Sequence, residues 1–181
     1  VRAALPGVSF LRGDVARIQP EKNSLRMADG TDVSYDHLVI ATSSVGTTFG
    51  IPGVEQYALQ MKNIHEARAI KQRLFGTYEE VQESRLPRES LRVVVVGGGP
   101  TGVEVAGAVA ELQRSLHREY PAIADYASIT LVEAGPRLLS MFKEGSSNHA
   151  REELEKLGVE VKLNSAVDRT YESDLHLGTG E

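Results

Sequence analysis

The chain has 181 residues, and its 20 Lys and Arg against 25 Asp and Glu give a formal net charge of −5. Hydrophobic residues make up 41% of it, which is ordinary for a globular chain and excludes collagen, coiled coil and general disorder. The net negative charge predicts no nucleic-acid partner, and no apolar run approaches the ~18 residues of a membrane-spanning helix. The absence of Cys excludes thiolate metal sites and dithiol redox pairs within these residues.

Residues 1–42 are predicted to be rich in β structure. Asp29-Gly30 predicts a hairpin between two short strands, because both residues tolerate positive φ. The apolar run Leu38-Val39-Ile40-Ala41 predicts a strand covered on both faces. Residues 43–54 contain three Gly and a Pro and are predicted to be a loop, so we place a domain boundary after residue 53.

The rest of the chain alternates between helical and strand patterns. Residues 64–84 repeat apolar side chains every three or four positions, which predicts a helix. Residues 91–96 are nearly pure Val, which predicts a central parallel strand covered on both faces. The next predicted element is a helix that follows the glycine-rich residues 97–102 and is broken by Tyr120-Pro121. After it we predict a strand at 128–133, a helix at 147–157, a strand at 159–163 and a ribbon at 166–177. This order predicts an α/β fold with a parallel sheet and right-handed crossovers.

The motif Gly97-Gly98-Gly99-Pro100-Thr101-Gly102 fits G-x-G-x-x-G between a predicted strand and a predicted helix. Gly97 allows the sharp turn, Gly99 leaves room for a pyrophosphate, and Gly102 lets the helix approach the strand. The amide groups and dipole of the helix start favour a phosphate, and Pro100 is tolerated there because its missing N–H is not needed. These six residues are the predicted cofactor-binding loop; the alternative is a glycine-rich turn that binds nothing.

Two glutamates complete the predicted site. Glu133 ends the next strand, where a carboxylate would accept hydrogen bonds from an adenosine ribose diol and repel a 2′-phosphate, so we expect NADH rather than NADPH. It lies about 30 residues past Gly102, further than the ~20 of the general pattern, because of the insert at 117–127. Glu104 lies one turn into the helix, and either complements the helix dipole or lies beside the redox ring of a bound cofactor. The alternative for Glu133 is a solvated surface carboxylate.

The five His residues show no metal-ligand spacing.

Four segments, in order along the chain, resemble type II NADH dehydrogenases, the single-subunit NADH:quinone oxidoreductases of the FAD/NAD(P)-binding pyridine nucleotide-disulfide oxidoreductase superfamily. The segments are Tyr35-Asp36-His37-Leu38-Val39-Ile40-Ala41-Thr42, Phe49-Gly50-Ile51-Pro52-Gly53-Val54, Val94-Val95-Val96-Gly97-Gly98-Gly99-Pro100-Thr101-Gly102-Val103-Glu104-Val105-Ala106-Gly107 and Leu131-Val132-Glu133-Ala134-Gly135-Pro136-Arg137-Leu138-Leu139. The resemblance implies that residues 1–53 are part of an FAD-binding domain (a β-meander and a strand) and that residues 54–181 are most of a Rossmann-like NADH-binding domain, truncated at its C-terminal end.

The resemblance also implies a reaction. Hydride would pass from NADH to FAD, and the flavin would reduce a quinone without proton pumping. Glu104 matches a family Glu near the nicotinamide and the flavin and is the expected catalytic residue. Ala41, Thr42 and Ser43 would lie against the flavin, although Ser43 stands where the family usually has Gly. The intact protein would be cytoplasmic and peripheral to the inner face of the membrane, attached through segments that are missing here.

Several alternatives stay open at this point. Both ends of the chain look cut, and the glycine loop of the FAD domain would lie upstream, so we expect a fragment that binds NADH weakly and does not turn over alone. A different FAD-dependent pyridine-nucleotide oxidoreductase, of the ferredoxin-reductase or apoptosis-inducing-factor type, is the second interpretation. A non-catalytic NADH-binding module is the third. An exposed apolar face is also expected where the missing part of the FAD domain would pack, and this face would allow homodimerisation or aggregation.

Overall fold

The computed structural model describes residues 7–42 and 46–178. The chain separates into two compact units, residues 1–43 and 44–181. The first unit contains three strands, β1 (Val15–Gln19), β2 (Ser24–Met27) and β3 (Asp32–Ser34). They form an antiparallel meander in chain order, and Gly30 closes the β2–β3 turn with a φ of 87°. The predicted hairpin at Asp29-Gly30 is therefore confirmed.

The strand predicted at Leu38-Val39-Ile40-Ala41 does not form. Residues 38–42 have no regular structure, and the side chains of Val39 and Ile40 are 85% and 64% exposed. An apolar run indicates that burial would be favourable, but a strand also needs a hydrogen-bonded neighbour. Within residues 7–42, the meander does not extend to this segment. The prediction of a doubly covered strand is wrong for this structure.

The second unit contains nine α-helices and β-strands in its described residues. They are α1 (Val54–Tyr57), α2 (Ile64–Gln82), β4 (Arg92–Val96), α3 (Pro100–Glu119), β5 (Ser128–Val132), α4 (Glu144–Lys156), β6 (Val159–Lys162), β7 (Ala166–Thr170) and β8 (Leu175–Gly178). Strands β4, β5 and β6 form a parallel sheet in that order, and β7 and β8 form an antiparallel ribbon. The predicted α/β fold with a parallel sheet and flanking helices is confirmed, although α4 begins three residues earlier than predicted.

One face of the parallel sheet carries the core. Leu131, in the middle of β5, is fully buried, and Ala106 of α3 is fully buried beside it. Small side chains on α3 allow the helix to lie close to the sheet, so that Val93 and Val95 of β4 pack against the same cluster. This packing fixes the beginning of α3 at the carboxyl end of β4, where the glycine loop lies.

The other face of β4 is open. Within residues 46–178, β4 pairs only with β5, so it is an edge strand, and the side chains of Val94 and Val96 are 44% and 50% exposed. The strand has nearly the predicted bounds, but the prediction that it is a central strand covered on both faces is wrong. Successive side chains of a strand point to opposite faces, and a run of Val does not tell which face has a partner.

The turn before α1 contacts β7. The backbone N–H of Thr170 donates to the carbonyl oxygen of Pro52 over 3.0 Å. Gly53 has a φ of 84°, and a Cβ atom there would lie 2.0 Å from the carbonyl oxygen of Thr170. The predicted domain boundary after residue 53 stays a prediction. Among the helices in the described ranges, none is long and apolar enough to cross a membrane.

Candidate dinucleotide site

The glycine loop joins the carboxyl end of β4 to the first turn of α3. Gly97 adopts a φ of 105°, a conformation that favours glycine, and its N–H donates to the carbonyl oxygen of Val132 in β5 over 2.8 Å. Gly99 is the N-cap residue of α3, and no side chain caps the first turn. In the described chain the N–H groups of Thr101 and Gly102 therefore have no partner, as is usual for a first helical turn. They are available to an anion.

The glycines of the loop are required for different reasons. A Cβ atom on Gly102 would lie 1.8 Å from the carbonyl oxygen of Gly97, so the close approach of α3 to the loop requires glycine. A Cβ atom on Gly98 would lie 2.7 Å from Cδ2 of Leu138. A Cβ atom on Gly99 would meet no atom within 4 Å, and the φ of Gly99 is −74°, which any residue adopts. The protein itself does not require glycine at position 99, so the open space there fits a ligand that lies against the backbone.

Glu133 follows β5 directly, and its side chain reaches the glycine loop. Oε2 accepts a hydrogen bond from the N–H of Gly98 over 2.5 Å, and Oε1 accepts one from the N–H of Gly135 over 2.6 Å. The side chain is half-buried. A carboxylate has about four lone-pair positions, so two of them stay available to a ligand. The structure thus brings together the predicted loop and the predicted carboxylate.

The remaining predictions concern side chains on α3 and residues of the first unit. Glu104 and Thr101 are exposed on α3, and among the described residues Glu104 forms no hydrogen bond or ion pair. Ala41 and Thr42 belong to the first unit, where both are exposed without regular structure. Ser43 lies outside the described residues. Within residues 7–42 and 46–178, no group of acidic or His side chains could hold a metal ion.

Residues 133–142 support the loop, a contact that the sequence did not predict. Leu138 is buried with 1% exposure, and the N–H of Leu139 donates to the carbonyl oxygen of Gly98 over 2.8 Å. The guanidinium group of Arg137 donates to the carbonyl oxygen of Phe142 over 2.8 Å and so folds this segment back on itself. The only sequence signal was the pair of leucines in a predicted loop, because large apolar residues in a loop favour burial.

Comparison with known proteins identifies the family. The family described as pyridine nucleotide-disulphide oxidoreductase matches residues 3–181. The chain belongs to this family. A probable mitochondrial NADH-ubiquinone oxidoreductase of Schizosaccharomyces pombe is 31% identical over 183 residues, which cover 94% of this chain and 33% of that protein. The external alternative NAD(P)H-ubiquinone oxidoreductase B3 of Arabidopsis thaliana, also mitochondrial, is 33% identical over 187 residues, covering 95% and 32%. The resemblance drawn from the motifs is confirmed.

The solved structures agree with this assignment. NDH2 from Plasmodium falciparum in complex with NADH matches with a TM-score of 0.72 and 29% identity, covering 92% of this chain and 36% of that chain. A ferredoxin reductase from Rhodopseudomonas palustris, 20% identical with a TM-score of 0.60, shows the shared fold alone. The chain therefore spans about a third of the length of these relatives.

Proposed function

We propose that this chain carries the NADH site of a flavin-dependent NADH:quinone oxidoreductase. The observation that carries the proposal is the combination of open space at Gly99 with the carboxylate of Glu133 beside the same loop. The names of the curated relatives, NADH- and NAD(P)H-ubiquinone oxidoreductases, support the reaction, and the NADH complex of the Plasmodium falciparum protein supports the ligand.

The residues of the chain would bind NADH mainly with backbone groups. The pyrophosphate would lie against Gly99 and accept hydrogen bonds from the N–H groups of Thr101 and Gly102, and the dipole of α3 would favour its negative charge. The free lone pairs of Glu133 would accept hydrogen bonds from the adenosine ribose hydroxyls. A 2′-phosphate in the same place would be repelled by the carboxylate, so NADH would bind more tightly than NADPH. Glu104 stays a predicted catalytic residue.

The flavin part of the proposal concerns the whole protein. When bound, FAD supplies the two-electron acceptor for the hydride of NADH. The sequence contains one G-x-G-x-x-G loop, which the NADH proposal uses, and the residues predicted to contact the flavin, Ala41 and Thr42, are exposed without regular structure. We therefore expect no sustained oxidation of NADH by a quinone when FAD is added to this chain alone, as measured by NADH absorbance.

The setting of the whole protein is proposed on the same grounds. The curated relatives carry mitochondrial names, and quinones dissolve in membranes, which supports a respiratory-chain enzyme that works at a membrane surface. Attachment through residues outside these 181, a position on the inner face and a homodimer stay predictions. Sedimentation of the chain with and without NADH tests the homodimer.

Calorimetric titration tests the ligand. We expect NADH to bind the chain at least about tenfold more tightly than NADPH, because a charge repulsion of about 1.4 kcal/mol is a factor of ten in affinity. Glu133→Ala is expected to abolish this preference. Glu160→Ala is the matched control, since this β6 glutamate has a 59% exposed side chain whose polar partners in the described residues are the Thr130 hydroxyl and the Lys162 ammonium group. Equal affinity of the unmodified chain for the two nucleotides would contradict the role of Glu133.

A further inference from the structure

We infer that Glu133 is a positioning residue for the glycine loop in addition to a ribose ligand, and that it therefore controls affinity for the pyrophosphate, which it does not touch. The inference rests on the proposed NADH site and deepens it. Its basis is that the carboxylate joins two separate loops at the nucleotide end of the sheet, the one after β4 and the one after β5.

The two hydrogen bonds of the carboxylate are the first observation. Both are short, at 2.5 Å to the N–H of Gly98 and 2.6 Å to the N–H of Gly135, and each uses a different oxygen of Glu133. Hydrogen bonds in which the acceptor is ionised are shorter and stronger than neutral ones. A single side chain thus holds the backbone of residue 98 at a set distance from the backbone of residue 135.

The confinement of Gly98 is the second observation. Its N–H donates to Glu133, and its carbonyl oxygen accepts from the N–H of Leu139 over 2.8 Å. Cδ2 of the buried Leu138 side chain lies 2.7 Å from where a Cβ atom would be. Both backbone groups of Gly98 are therefore used by the protein. We assign Gly98 to the support of the loop, and the donors that face a pyrophosphate are those that follow Gly99.

The backbone restraints on the supporting segment are the third observation. Leu139 adopts a φ of 49°, which is uncommon for a residue other than glycine and persists only where the surroundings impose it. The N–H of Asn164 donates to the carbonyl oxygen of Gly135 over 2.9 Å, and Arg137 holds the carbonyl oxygen of Phe142. Glu133 therefore ties the glycine loop to a fixed base, which is the arrangement that positioning of a ligand site requires.

The chemistry of the side chain explains why a carboxylate is needed. Both partners of Glu133 are N–H donors, so both of its terminal atoms must be acceptors. In Glu133→Gln the amide keeps one acceptor oxygen and turns an NH₂ group toward the other donor, which breaks one of the two hydrogen bonds. Gln has nearly the same size and shape as Glu, so weaker binding by this variant could not come from altered packing. The substitution also removes one negative charge.

Titration with inorganic pyrophosphate, followed by amide resonances of the chain, tests the inference, because this probe has no ribose. We expect Glu133→Gln to weaken pyrophosphate binding at least about fivefold, whereas the charge-matched control Glu160→Gln leaves it unchanged. The loss of charge alone would change pyrophosphate affinity in the opposite direction, since removal of a carboxylate near an anion strengthens binding of that anion. Unchanged or tighter pyrophosphate binding by Glu133→Gln, with NADH binding weakened, would overturn the positioning role and leave the NADH site standing.

Two further results keep the test decisive. If the unmodified chain binds neither NADH nor pyrophosphate at the glycine loop, the proposed function fails, and this inference fails with it. If Glu133→Gln does not fold, hydrogen exchange in the unmodified chain decides. We expect the amide protons of Gly98 and Gly135 to exchange at least about tenfold more slowly than that of Gly99. Exchange of Gly98 as fast as that of Gly99 would overturn the inference.

Discussion

Gly98 and Gly102 face the protein, and Gly99 faces open space. A side chain at position 102 would collide with the backbone of Gly97, and one at position 98 would collide with Leu138, but one at position 99 would meet nothing. Three glycines within five residues therefore serve two purposes. Those at 98 and 102 let β4, α3 and the 133–142 segment pack together, and the one at 99 leaves a place for a ligand. Substitutions at these three glycines should therefore affect the stability of the fold and the affinity for NADH to different degrees.

The largest effect is expected for Gly102→Ala. Its Cβ atom would lie 1.8 Å from a backbone oxygen, so the start of α3 must move away from the loop, at a cost of about 3 kcal/mol in the free energy of unfolding. Denaturant unfolding measures the cost. Gly107→Ala in the same helix is the control, because its Cβ atom would meet Leu154 and Leu157 at an ordinary 3.9 Å. Equal stabilities of the two variants would contradict the distinction between these glycines.

Gly99→Val is expected to show the reverse pattern. A Cβ atom at this position would meet no atom within 4 Å, so the free energy of unfolding should change by less than about 1 kcal/mol. NADH affinity, measured by fluorescence titration, should fall at least about tenfold, because the side chain would occupy the place of the pyrophosphate. Full NADH affinity in a folded Gly99→Val chain would show that the nucleotide lies elsewhere.

Gly98→Ala is expected to lie between these two. Its Cβ atom would meet the end of the Leu138 side chain at 2.7 Å and the carboxylate of Glu133 at 2.9 Å, and both are side chains that can move. We expect a loss of about 1 kcal/mol in stability together with a few-fold loss of NADH affinity, because the hydrogen bond to Glu133 is displaced. A combined unfolding and titration experiment tests this, and a change in only one of the two properties would argue against a shared cause.

Tyr78→Phe, between α2 and α3, is expected to change stability alone. The Tyr78 ring is 1% exposed, and its hydroxyl has no partner in the described part of the chain, so removing it should stabilise the fold by about 1 kcal/mol. Burial raises the pKa of Tyr78 to about 12 from its usual 10.0. The folded chain thus holds this proton more tightly than the unfolded chain, and stability that is present below pH 10 is lost as the pH rises toward 12.

The measurement for this variant is unfolding as a function of pH. The Tyr78→Phe chain should lack the part of the alkaline destabilisation that comes from this group, so its advantage over the unmodified chain should grow between about pH 10 and 12. NADH affinity should be the same in both chains at neutral pH. A loss of NADH affinity in Tyr78→Phe would show that the α2–α3 contact and the glycine loop are coupled.

Much of the second unit could be predicted from the sequence because its signals are local. The apolar spacing of α2 and the G-x-G-x-x-G motif before α3 each lie within a single stretch of chain. Glu133 could be placed beside the loop because carboxyl ends of neighbouring parallel strands share one edge of a sheet.

What could not be predicted depends on partners distant in sequence. The edge position of β4 and the missing strand at residues 38–42 depend on which strands lie alongside, which a Val-rich or apolar run does not contain. Glu133 accepts hydrogen bonds from two backbone N–H groups, and Leu138 packs under Gly98. Both contacts depend on a backbone path that only the folded structure shows.

The most direct test of the NADH site is a titration of the isotope-labelled chain with NADH, followed by its amide resonances. We predict that the largest shifts fall on residues 99–103 and 133–135, with small shifts in the α2–α3 contact around Tyr78. Shifts concentrated away from the glycine loop, or none at NADH concentrations that saturate the calorimetric titration, would contradict the proposed site.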